Sequence, residues 1–132
     1  MMAGGAARNR RLAVVTVTYN SSDVLPGFLD SLVDGLSGIE NADVVVADNA
    51  STDASADLAS NHPIRPRVLR TGRNGGYSAG INAAIATIPA GSDLLILNPD
   101  IRLMPGAVRA LVDRLEDPTI GIAAPQILSE EG

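Results

Sequence analysis

The chain has 132 residues, of which 45% are hydrophobic and only 2% aromatic, with no cysteine and a formal net charge of −5. That length and apolar content allow one domain with a real core, built from Val, Leu, Ile and Ala. The missing cysteines exclude disulfides, thiolate catalysis and cysteine metal sites. All 10 cationic side chains are arginine, which removes a P-loop or Schiff-base lysine, and the acidic balance argues against non-specific nucleic-acid binding.

Residues Met1 to Arg11 read as a mobile basic tail, and 12–132 as the domain. The run behind the tail is too short for a signal-peptide core, and no stretch reaches the ~20 apolar residues of a membrane span. Leu12–Thr18 is a β-branched run of the kind buried on both faces of a parallel sheet. A helix follows over about Asp23–Leu36, with Leu25, Phe28, Leu29, Leu32 and Val33 on one stripe. Ser21, Ser22 or Asp23 can cap it, and Pro26 is tolerated only in its first turn.

Asp43–Asp48 is the second strand, followed by a short helix over Thr52–Ser60 with Ser51 or Thr52 as cap. His62-Pro63 and Arg65-Pro66 break the chain, and His62 reads as a surface loop residue. Arg67–Arg70 is the third strand, Ser78–Ile88 the third helix and Asp93–Leu97 the fourth strand. Pro105 opens a helix marked by Val108, Leu111, Val112 and Leu115, which Asp117-Pro118 ends. Ile120–Ala124 reads as a short fifth strand. The alternation predicts an α/β fold: a doubly wound, mostly parallel sheet with helices on both faces.

Four of these strands run into polar clusters at their carboxyl ends, where open parallel sheets bind ligands. The clusters are Thr18-Tyr19-Asn20, Asp48 to Asp53, Gly72 to Gly76 and Asn98-Pro99-Asp100. Neither G-x-G-x-x-G nor G-x-x-x-x-G-K-[ST] occurs, which sets aside ordinary dinucleotide and P-loop sites. Asp48 can accept hydrogen bonds from a base or ribose, whereas Ser51 and Thr52 suit turn and cap roles. Adjacent Gly75 and Gly76 let backbone approach a ligand, and the following helix start favours anions. A carboxylate at Asp100 suits a divalent cation shared with diphosphate oxygens. Arg65, Arg67, Arg70 and Arg73 form a basic run that reads as a solvated face, with Arg73 beside the glycine loop.

The segments VVTVTYNS, VVVADNASTD, NGGYSAGINAAI and LLILNPD, in this order, resemble the family 2 glycosyltransferases of GT-A fold. The resemblance implies a site for a nucleoside-diphosphate sugar. Thr18 and Tyr19 would flank the base, Asp48 would contact base or ribose, and Asn74, Gly75 and Gly76 would lie along the nucleotide. Asn98-Pro99-Asp100 would replace the D-x-D motif, with Asp100 as the ligand of Mg2+ or Mn2+ and Asn98 standing where many members carry Asp. The N-P-D variant with the N-G-G-Y loop looks most like bacterial rhamnosyltransferases of cell-wall assembly. These use dTDP-rhamnose, so the expected donor is dTDP-rhamnose or a UDP-sugar and the expected acceptor a saccharide or polyprenyl-linked one.

The implied reaction is metal-dependent, inverting sugar transfer in the cytoplasm, peripheral to the inner face of the membrane. Family members are longer, so the base is expected beyond Gly132, with apolar surface left open to self-association. The alternatives are a non-catalytic nucleotide-sugar-binding module and a fragment completed by a partner chain. A nucleotidyltransferase would want a Gly/Arg/Lys-rich loop after the first strand, and a receiver domain would want a lysine and an acidic pair. This chain has neither.

Overall fold

The computed structural model describes residues 11–124 and residue 128. Its elements in chain order are β1 (Leu12–Thr18), α1 (Leu25–Gly35), β2 (Ala42–Asp48), α2 (Ser55–Ser60), β3 (Arg67–Arg70), α3 (Tyr77–Ile85), β4 (Asp93–Ile96) and α4 (Ala107–Arg114). The strands form one parallel sheet in the order β3-β2-β1-β4. The chain leaves β1 toward β2 and later crosses to β1's other side at β4. The reversal of strand order therefore falls at β1, the position where such sheets bind ligands.

Every residue of β1 is buried, because helices cover both faces of the central strand. Leu12 and Val14 of β1, with Val44 and Val46 of β2, pack under Leu25, Phe28, Leu29 and Leu32 of α1, Ala59 of α2 and Val108 of α4. The alternate residues Val15, Val17, Val45 and Ala47 pack under Ile81 and Ala84 of α3. Two apolar faces on one strand explain the unbroken aliphatic sequence. Gly80 permits the close seating of α3, since a Cβ there would lie 2.8 Å from Val17 Cγ1.

The helix starts depart from the sequence reading. α1 begins after Val24 and α2 after Ala54, neither with a side-chain cap. Ser51 and Thr52 are drawn into contacts between loops, described below, and are not available as caps. α4 begins after Gly106, in a left-handed conformation with φ 72°, two residues beyond Pro105. Ile120–Ala124 forms no strand. A Gly interrupts this run between two prolines, Ile120 N–H turns back to Asp117 O at 3.0 Å, and Ile122 is 90% exposed. Arg11, assigned to the tail, is tied to β2 by an ion pair with Asp43 at 2.8 Å.

Candidate functional site

The carboxyl ends of β1 and β2 are fused by one carboxylate. Thr18 and Asp48 are partners in register, 0% and 2% exposed. Thr18 Oγ1 donates to Asp48 Oδ1 at 2.6 Å, Ser51 Oγ donates to the same oxygen at 2.6 Å, and Ser51 N–H donates to Oδ2 at 3.0 Å. A buried carboxylate is stable only with donors of this kind. Asp48 therefore braces the floor of the site, with the exposed Tyr19 beside it.

The loops after β1 and β2 are stitched together above that floor. Asn20, with φ 49°, accepts the Thr52 N–H on Oδ1 at 2.8 Å and donates its own N–H to Ser51 Oγ at 2.9 Å. Ser21 N–H donates to Ser55 Oγ at 2.8 Å, and Ser22 N–H to Asp53 Oδ2 at 3.1 Å. Asp53 Oδ1 also accepts the Ser55 N–H and hydroxyl. The Ser55 hydroxyl bond first, and the Ser55 and Ser22 N–H bonds with it, hold the Asp53 carboxyl well below its ordinary range. Asparagine is one of the few residues that adopts the left-handed region readily. That is the signal in the sequence that could have singled out Asn20.

Asn49 is the other residue whose role the sequence did not reveal. It is 2% exposed, donates its N–H to Thr18 O at 2.9 Å and Nδ2–H to Gly76 O at 3.0 Å, and accepts the Thr71 hydroxyl on Oδ1 at 2.8 Å. It thus holds the glycine loop against the β2 tip. Gly76 has φ 100° and is the N-cap of α3, where no side chain accepts the first-turn N–H groups. Asn74 Oδ1 accepts the Gly76 N–H at 3.2 Å. Asn74, Gly75 and Gly76 are all exposed at the sheet's carboxyl edge, and backbone N–H groups there suit an anion.

On the other side of β1, the β4 ladder extends one bond past the strand, from Leu97 N–H to Val15 O at 3.0 Å. Asn98-Pro99-Asp100 then forms a turn closed by Ile101 N–H to Asn98 O at 3.2 Å, with Asn98 and Asp100 exposed. The fold thus brings Thr18, Tyr19, Asp48, Asn74, Gly75, Gly76, Asn98 and Asp100 to one edge. Among the described residues no group of three or more His, Cys, Asp or Glu could hold a metal alone. Asp100 is an exposed carboxylate in this turn, and a hard cation bound by one carboxylate needs ligand phosphates and water to complete its shell.

A cavity of about 300 Å³ runs along α2, lined by Pro26, Ala54, Asp57, Leu58, Asn61, His62 and Pro63. His62 is not a surface residue as its loop position suggested, since its side chain is 10% exposed. Its Nδ1 accepts Ile64 N–H at 3.1 Å, so Nε2 carries the proton it shares with Asp30 Oδ1 at 2.7 Å.

The sequence matches the family described as Glycosyl transferase family 2 over residues 13–132, and the chain belongs to that family. It is 34% identical to an N-acetylglucosaminyl-diphospho-decaprenol L-rhamnosyltransferase of Mycobacterium tuberculosis, over 92% of this chain and 42% of that protein. It shares its fold with the mannosyltransferase PcManGT of Pyrobaculum calidifontis, solved with GDP-Man and Mn2+ (TM-score 0.70, 23% identity, 86% of this chain and 35% of that one). Staphylococcus aureus TarS 1–349 with UDP is similar (TM-score 0.67, 20% identity, 88% of this chain and 38% of that one). The chain therefore spans about two fifths of the length of these relatives.

Proposed function

We propose that this chain supplies the donor-binding part of a rhamnosyltransferase. In this reading a dTDP- or UDP-activated sugar, dTDP-rhamnose first, lies along the carboxyl edge of the sheet. The observation that carries it is the convergence of the braced β1–β2 floor, the glycine loop before α3 and the Asp100 turn on both sides of β1. The nucleoside end rests on Thr18, Tyr19 and the floor held by Asp48, and Asn74, Gly75 and Gly76 run beside the diphosphate. Asn98 and Asp100 reach the same phosphates from the opposite side. Asp100 would hold Mg2+ or Mn2+, which when bound neutralises charge on the leaving diphosphate.

Transfer is inverting in this reading, with a carboxylate base that deprotonates the acceptor hydroxyl. None of the residues described takes that role. The mycobacterial relative's name specifies a diphospho-decaprenol acceptor, which supports a polyprenyl-linked acceptor and work at a membrane face. Among the described residues no helix is long and apolar enough to cross a membrane. Calorimetry with dTDP and UDP, with added Mn2+ and with EDTA, tests the donor site. We expect binding that weakens when the metal is chelated. Equal affinity in both conditions removes Asp100 as a metal ligand, and no binding of either nucleotide removes the donor site.

A further inference from the structure

Charge is segregated along this chain. The segment 58–92 holds four arginines and no Asp or Glu, so it contributes +4 to a total of −5 and leaves −9 on the remainder. The fold runs this segment from the end of α2 on one face of the sheet, through the edge strand β3 and the glycine loop, to α3 on the other face. Arg70 is partly neutralised by Asp57 of α2 at 3.0 Å. Arg65, Arg67 and Arg73 are exposed and have no carboxylate partner among the described residues.

They run from the amino end of β3 to its carboxyl end, a strip longer than a nucleotide diphosphate at the carboxyl edge would require. Arg67 lies in register with Val45 and so on the α3 face of the sheet. That face continues as 75–92, which contains no charged residue, and shows Tyr77 at 50% exposure. Unpaired cations along this edge, with an exposed tyrosine at the start of the uncharged helix on the same face, match the headgroup level of an anionic bilayer. The acidic remainder of the chain would be repelled by the same surface, which fixes the orientation.

We propose that the β3 edge, through Arg65, Arg67 and Arg73 with Tyr77, docks this domain on anionic lipid headgroups. The proposal rests on the reading that the enzyme works at a membrane face, and it names the surface. Cations on an edge strand also block edge-to-edge pairing, and the test separates the two roles. The full chain is sedimented with phosphatidylglycerol–phosphatidylcholine vesicles and with pure phosphatidylcholine vesicles, at low and high salt. Binding is expected only to the anionic vesicles and only at low salt.

The variant R65Q/R67Q should bind the anionic vesicles roughly tenfold or more weakly, since each cation near such a surface strengthens binding about fivefold. The variant R109Q/R114Q, with the same charge change on α4, should bind like the wild type. Thermal unfolding and dTDP affinity, unchanged in both variants, keep this result apart from the donor-site reading. Four outcomes would overturn the proposal: no wild-type binding to anionic vesicles, equal binding to neutral ones, equal loss in the two variants, or capture by single-stranded RNA without vesicle binding.

Discussion

Asp48 shows how a single side chain can carry both stability and site shape. Replacement by Ala strands the hydroxyls of Thr18 and Ser51, each bonded to Oδ1 at 2.6 Å, in a buried setting. We expect a loss of roughly 2–4 kcal/mol, because bonds to charged groups and orphaned buried donors are each costly. Urea unfolding measures this. Nucleotide affinity should fall as well, whereas unchanged stability and affinity would mark Asp48 as an ordinary turn residue.

Asp53 gives a dependence on pH. Its carboxyl is held below the ordinary value by Ser55 and Ser22 in the folded chain, whereas the unfolded chain has an ordinary carboxyl near ~3.9. The contribution to stability is therefore complete above that range and fades as the pH falls through it toward the lower folded value. The stability advantage of the wild type over Asp53→Asn should be present at neutral pH and gone in strong acid. Asp117, lowered by Thr119, titrates in the same direction in both proteins and cancels in the comparison.

At the level of elements, the four strands and the order of helices were legible because each side chain has one dominant job. The run Ala13-Val14-Val15 can be nothing but a strand buried on two faces. The helix starts were not legible. Ser51, Thr52 and Asp53 have the chemistry of local caps, yet the backbone of the neighbouring loop recruits two of them and Asn20 the third, and no local pattern records a partner about thirty residues away. The Ile120–Ala124 run failed for a related reason, since a strand exists only with a neighbour and none is offered among the described residues. Gly80 tests the packing of α3. Gly80→Ala would bring a methyl within 2.8 Å of Val17 and should cost about 1–3 kcal/mol, read by thermal unfolding. It should also loosen the glycine loop, because Asn49 Nδ2 lies 3.3 Å from the same point.

For the whole molecule, the candidate site was readable as a set of strand ends, but its internal wiring was not. The place of Thr18, Asp48, the glycines and Asp100 at the carboxyl edge followed from their positions after apolar runs. Asn20 and Asn49 were missed as individual roles because their partners belong to other loops. We expect the 132-residue chain alone to transfer no sugar, given that it spans 42% of its mycobacterial relative and offers no assigned base. Loss of a positioned base costs ~10²–10⁴-fold, and loss of acceptor positioning costs more. Radiolabelled transfer to a lipid-linked acceptor checks this, and measurable turnover would place the base within these residues. Leu94 and Ile96 on the edge strand β4 are 42% and 43% exposed, so the isolated chain should self-associate. Analytical ultracentrifugation of the wild type against Ile96→Lys measures it, and the variant should be the more monomeric.

The stitching of the two loops also governs how this scaffold can be redesigned. Asn20, Ser21 and Ser22 supply one half of a clasp whose other half is Ser51, Thr52, Asp53 and Ser55. A loop grafted from another enzyme at either position alone would face a set of donors and acceptors it cannot complement. The pair is therefore the smallest transplantable unit: a chimaera that exchanges both loops keeps its wiring, and one that exchanges a single loop inherits half a clasp.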